Sequence, residues 1–276
     1  MSSKLDPAQP VARTSALQGA FDRARAEGRP ALVTYTTVGD PDLPRSGEVL
    51  KALDRAGADV LEVGVPFSDP LADGPVIQRA TERALRAGGN LRATLSIVEH
   101  VRPEISAPIV IFSYANPILR MGINVFARRA AEVGASGVLA LDLPIEEAGE
   151  FRDRLGAAGL DTIMLLSPTT TEERIQRAAQ LGSGFLYGIS RLGVTGARER
   201  VASDAEGLVR RIRAHSKLPI AVGFGISRPE HVQEVGRYAD GAVVGSALVA
   251  VIAEHGSTPA LIEKVEEYVR WLRKAS

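Results

Sequence analysis

Eight short β-rich runs recur along the 276-residue chain, and most are followed by a segment with helical periodicity. The runs are ALVTYTT from Ala31, DVLEVGV from Asp59, PIVIFSY from Pro108, GVLALDL from Gly137, DTIMLLS from Asp161, GFLYGIS from Gly184, PIAVGFG from Pro219 and GAVVGSA from Gly241. Between them lie stretches such as VFARRAAEVGA and EERIQRAAQLG, whose apolar residues return every three or four positions. Strands alternating with helices build a parallel sheet, because the crossover helix carries the chain back to the same end of the sheet. Eight such units with no composition shift and no Gly/Ser linker between them predict a single closed (β/α)8 TIM barrel with additional short helices. An open doubly wound sheet would be favoured by a G-x-G-x-x-G after the first strand, and YTTVGDPD supplies none. The expected organisation is a flexible polar arm over residues 1–13 and one barrel catalytic domain over residues 14–276.

Composition narrows the partners. Basic and acidic side chains balance at 33 each, so no overall field favours nucleic acid or an anionic membrane. A small molecule or another protein is the expected partner. The chain has no cysteine, which removes disulfides, thiolate nucleophiles and cysteine metal sites together and fits a reducing, cytoplasmic setting. The N-terminal stretch MSSKLDPAQPVAR has no apolar core of signal-peptide type, and the longest uncharged apolar run, 242–253, falls short of the roughly 20 residues of a membrane span.

The distance between strand starts locates the extra chain. Most units run 22–29 residues, but the second takes 49 (59 to 108) and the sixth takes 35 (184 to 219). In a barrel the segments after strand C-termini build the active site, so PFSDPLADGP and SRLGVTGARER are expected to meet substrate. Alternation along the second strand puts Val60, Glu62 and Gly64 on one face and Leu61 and Val63 on the other. Glu62 therefore points into the barrel, where it is either a structural carboxylate, paired with an arginine or capping a loop, or a general acid/base whose protonation is set by burial. Asp73, in LADGP, is either a turn aspartate before Gly74 or a second carboxylate presented to the same ligand. Glycines in AVGFGIS and VVGSALV, on the last two strands, would let a phosphate approach backbone N–H groups, and GSALVAVIA reads as a helix whose N-terminus faces that anion.

Absences restrict the chemistry further. The five lysines (Lys4, Lys51, Lys217, Lys264, Lys274) avoid strand C-termini, so no Schiff-base residue is available. The four histidines (His100, His215, His231, His255) fall on expected helices or their ends and are not read as metal ligands; no metal site is expected. There is no G-x-S-x-G elbow. What remains is carboxylates, Tyr187 near the end of the sixth strand and backbone amides. These suit proton transfer to a substrate that delocalises its own charge.

The motifs LEVGVPFSDPLADGP, YGISRLGVTG and VGFGIS, in that order, are specific, and over about residues 16–274 the chain resembles the tryptophan synthase α subunit, the indole-3-glycerol-phosphate lyase family. The resemblance implies a (β/α)8 barrel that reversibly cleaves indole-3-glycerol phosphate into indole and glyceraldehyde 3-phosphate. It implies Glu62 as the residue that moves protons at the substrate's C3 and hydroxyl, Asp73 as the acceptor of the indole N–H, and Tyr187 as a tyrosine beside the reacting centre. Tyr35 would line the indole pocket. Gly196, Phe224, Gly225, Gly245 and Ser246 would surround the glyceryl phosphate, with residues 191–196 in a closing loop and Thr195 bonded to Asp73. It also implies a pyridoxal-phosphate-bearing β subunit that receives indole in an α2β2 complex, with Asp69, Pro70 and Asn116 at the shared face and no cofactor in this chain. The alternatives are a stand-alone lyase that releases free indole, and a non-catalytic activator of the β subunit, against which intact Glu62 and Asp73 argue. A phosphosugar epimerase barrel is disfavoured by the placement of the histidines.

Overall fold

The computed structural model describes residues 15–189, 198–223 and 225–274. Each of the eight runs forms barrel strand: β1 (Ala31–Thr37), β2 (Val60–Gly64), β3 (Ile109–Ser113), β4 (Gly137–Ala140), β5 (Asp161–Thr162), β6 (Met164–Leu166), β7 (Leu186–Ile189), β8 (Ile220–Gly223) and β9 (Gly241–Val244). All pairings are parallel, in the order β5-β4-β3-β2-β1-β9-β8-β7-β6. The ends of that order are two halves of one strand. β5 pairs with β4 and β6 pairs with β7, so the TIM barrel closes through a fifth strand interrupted at Ile163, whose N–H reaches Val138 O at 2.9 Å.

Period-two alternation sorts the strand side chains into two layers. Val33, Val60, Val110, Leu139, Ile163, Ala221 and Val243 fill the barrel, while Leu61, Val63, Ile109, Ile111, Val138 and Val222 pack outward under the helices. The opening helix, Ala16–Ala26, closes the N-terminal end by inserting Leu17 and Phe21, and Phe21 meets Phe185 at 5.2 Å between ring centroids. Full burial of each such side chain is worth about 1.5–3 kcal/mol. Ser15 caps that helix by accepting from Gln18 N–H, and its Oγ donates to Asp161 Oδ2 on β5, tying plug to barrel.

The long second unit is mostly helix: after the loop 65–74 come Pro75–Arg86 and Leu91–Val101. Proline opens the first, and Asn90 caps the second by accepting from Ala93 N–H. The extra length of the sixth unit includes a 16-residue helix, Arg198–Arg213. After β9 the chain enters the helix Ser246–His255 directly, with Gly245 at its N-cap. Each of the four histidines lies in a helix or just past one. No helix among the described residues is long and apolar enough to cross a membrane.

Candidate active site

Glu62 lies in mid-strand, opposite Tyr35 on β1 and Val110 on β3. It faces the C-terminal mouth of the barrel, directly above Val60, and is 1% exposed. Neither carboxyl oxygen has a hydrogen-bond partner among the described residues. The structural alternative, a glutamate held by an arginine or capping a loop, thus finds no partner group among the described residues. Removal from water without compensation favours the neutral acid, and burial pushes the Glu62 pKa up to about 8. At neutral pH this side chain holds a proton that it can deliver.

Two glycines make space for the phenols around it. A Cβ at Gly64 would stand 2.3 Å from Tyr35 Oη, and one at Gly223 would stand 2.4 Å from Tyr187 Oη. Each tyrosine thus lies across a neighbouring strand that has no side chain at that point. Tyr35 shares a 3.3 Å hydrogen bond with Thr37 Oγ1 and meets Phe112 edge-on, with centroids 5.1 Å apart. Burial, reinforced by nearby acidic groups, raises both phenols above their ordinary pKa, so both remain neutral donors.

Asp73 reaches the same space from the loop after β2. The turn is built by Asp73 N–H donating to Pro70 O at 3.1 Å and by Gln78 Nε2 donating to Asp73 O at 2.9 Å and Pro70 O at 3.3 Å. Burial lifts the Asp73 carboxyl to about 6, although a hydrogen bond from Tyr114 works in the opposite direction. Near pH 7 Asp73 is charged and Glu62 is neutral. Two carboxyl groups with separated pKa values are the arrangement that divides acid from counter-charge.

These groups line one cavity of about 520 Å³. Glu62, Asp73, Tyr35, Tyr187 and Phe112 form its acidic and aromatic side, and Gly225, Gly245 and Ser246 form the side beneath the helix Ser246–His255. The first-turn N–H groups of a helix have no intrahelical acceptor, and its dipole is positive there, so that wall suits an anion. Of the residues expected at the site, Thr195, Gly196 and Phe224 lie outside the described residues. Asp69, Pro70 and Asn116 do not line the cavity. Asp69 and Asn116 are exposed, as is Leu71, which is 91% exposed on the Asp73 loop.

Phe112 and Tyr114 were not singled out from the sequence. The signal was available for the first: Val110 and Phe112 alternate on the inward face of β3, and Phe112 is the cross-strand partner of Gly64. Among the described residues no cluster of three or more His, Asp or Glu side chains could hold a metal ion.

Fold and cavity together have the form of a (β/α)8-barrel enzyme site, with two carboxyl groups and a helix N-terminus facing one cavity at the C-terminal mouth. The profile of the family described as Tryptophan synthase alpha chain matches residues 21–276. The tryptophan synthase alpha chain of Carboxydothermus hydrogenoformans is 45% identical over 249 residues, spanning 90% of this chain and 93% of that one. That of Arabidopsis thaliana is 40% identical, spanning 95% and 96%. Among solved structures, tryptophan synthase subunit alpha from Legionella pneumophila superposes with a TM-score of 0.87 at 35% identity, covering 95% of this chain and 98% of that one. Tryptophan synthase from M. tuberculosis in its aminoacrylate-bound form gives 0.86 at 36%, covering 95% and 99%. The chain belongs to the tryptophan synthase alpha chain family, carbon–carbon lyases that cleave indole-3-glycerol phosphate.

Proposed function

We propose that Glu62 and Asp73 carry this cleavage as an acid and a counter-charge, with the phosphate held at Gly225, Gly245 and Ser246. The supporting observation is that a buried carboxylic acid with no hydrogen-bond partner among the described residues faces the same cavity as an ionised carboxylate and a helix N-terminus. Neutral Glu62 gives its proton to C3 of the indole ring, which turns the ring into an iminium cation. The Asp73 carboxylate accepts the ring N–H and offsets the positive charge as it forms. Glu62, now a carboxylate, takes the proton of the glycerol hydroxyl next to the ring. As the carbonyl forms, the C–C bond to C3 breaks and its electron pair restores the aromatic ring. Indole and glyceraldehyde 3-phosphate are released and Glu62 is protonated again. Tyr187 and Tyr35 bound the ring site as neutral phenols, while Thr195 would fix Asp73 and Gly196 and Phe224 would complete the phosphate side on loop closure.

The partner in this reading is a β subunit that takes the indole in an α2β2 complex and carries the pyridoxal phosphate; this chain uses no cofactor of its own and works in the cytoplasm. Asp69, Pro70 and Asn116 form the shared face. The exposed Leu71 supports that placement, because an apolar tip on a catalytic loop gains by being covered. The test is incubation of the purified chain with indole-3-glycerol phosphate, with and without a β subunit, following indole. Indole release that rises with the β subunit is expected. Full-rate release by the chain alone would point to the stand-alone lyase, and no release in either case would refute the assignment.

A further inference from the structure

Tyr114 stands just beyond the end of β3, two positions after Phe112, and is 5% exposed. Its hydroxyl donates to Asp73 Oδ2 at 3.1 Å and accepts the N–H of Ala72 at 3.0 Å. Its ring lies against Phe67, with centroids 5.0 Å apart and planes at 33°. Phe67 and Asp73 lie near the two ends of the loop 65–74, so one side chain from the neighbouring strand grips the loop at both. The next residue is fixed in turn, with Ala115 N–H donating to Asp142 Oδ1 at 2.6 Å. Gln78 holds the main-chain carbonyl of Asp73, and among the described residues Tyr114 is the side chain that bonds its carboxylate.

We propose that Tyr114 is the positioning residue of the reaction: its hydroxyl takes Oδ2 of Asp73, its ring anchors the loop through Phe67, and Oδ1 is thereby aimed at the ring N–H of the substrate. The proposal rests on the reading of Asp73 given above. An aspartate on a ten-residue loop has two freely turning side-chain torsions, and a bond to one oxygen from a rigid ring settles both. The bond also favours the ionised form of Asp73, the form that can stabilise a cation. The other titratable groups near Asp73 are Tyr35 on β1 and Glu62 on β2, with Asp142 beyond Tyr114. Tyr35 and Glu62 are neutral through the pH range in which Asp73 ionises, so an acidic limb of the rate near pH 6 belongs to Asp73.

The test is Tyr114→Phe, which keeps the ring on Phe67 and removes only the hydroxyl, assayed in the presence of the β subunit. In this variant kcat should fall about tenfold while KM for indole-3-glycerol phosphate stays within about twofold. The acidic limb of the pH profile should move to higher pH, and a 13C titration of the Asp73 carboxyl should move with it. Because Tyr114 acts through Asp73, Tyr114→Phe added to Asp73→Asn should cost nothing beyond Asp73→Asn alone. An unmoved limb, or additive losses in the double variant, would overturn the positioning role while leaving Asp73 in place. Near-normal turnover of Asp73→Asn alone would overturn the Asp73 reading and this proposal with it.

Discussion

Glu62 is a residue whose chemistry and stability pull in opposite directions. Its carboxyl titrates near 8 in the folded barrel against 4.5 ordinarily, so the folded state disfavours the charged form. Its contribution is intact below pH 4.5 and is lost progressively as the pH rises toward 8. The cost at pH 7 is on the order of 3 kcal/mol. Glu62→Gln keeps the shape and cannot ionise. Cleavage should therefore fall by about 10²–10⁴ while thermal stability at pH 8 rises, an effect that vanishes at pH 4.5. Calorimetry at the two pH values beside an indole assay checks both halves; a variant destabilised at pH 8 would remove the case for an uncompensated buried acid. In the wild type, kcat/KM should be highest between limbs near pH 6, where Asp73 must be ionised, and near pH 8, where Glu62 must be protonated. Position and alternation were enough to place Glu62 in the sequence. Tyr114 was not legible, because its bond to Asp73 joins residues 41 positions apart and no local pattern encodes it. Nor did the reason for Gly64 and Gly223 appear before the tyrosines on the next strands were in place.

Single elements divide the labour of the site. The helix Ser246–His255 supplies its N-terminus to the cavity, and Gly245 opens that helix with only ordinary van der Waals neighbours around a Cβ, the nearest being Tyr35 Cβ at 3.7 Å. A Gly245→Val change should therefore be accommodated by the fold but should fill the approach to the amides. Affinity for glycerol phosphate should drop at least tenfold with a change of no more than a few degrees in melting temperature. Titration calorimetry checks it, and unchanged affinity would place the phosphate elsewhere. All eight strand runs were legible, because parallel strands buried on both faces read as short apolar blocks between turn residues. The break in the fifth was not, since DTIMLLS is continuous as sequence and the interruption lies in which neighbour each half pairs with. The long second unit pointed to the Asp73 loop, whose Ala72, Asp73 and Gly74 line the cavity, although most of its added length is the helices Pro75–Arg86 and Leu91–Val101, which stand outside the cavity apart from Val76 and Ile77.

The whole molecule is a ring of ladders of unequal length. Between β1 and β2 five residue pairs are in register, whereas β4 and β5 share two, Gly137 with Asp161 and Val138 with Thr162. Opening should begin at the short ladder. Hydrogen exchange should release the amides of Asp161 and Ile163, bonded to Ser136 and Val138, at least roughly tenfold sooner than those of Val38 and Asp59, bonded to Gly64 and Leu32. Equal protection at the two places would mean that the barrel opens as one unit.

That short ladder makes the enzyme divisible. A backbone cut in the turn at 158–160, just before Asp161, would leave β1 to β4 with the plug helix in one piece and β5 to β9 in the other, with β1 to β4 joined side by side in the first and β6 to β9 in the second. The first piece would own both carboxylates and the second the anion wall and Tyr187. Neither half should turn over substrate alone, yet mixing the two should rebuild the cavity across β1–β9 and β4–β5 and restore indole release.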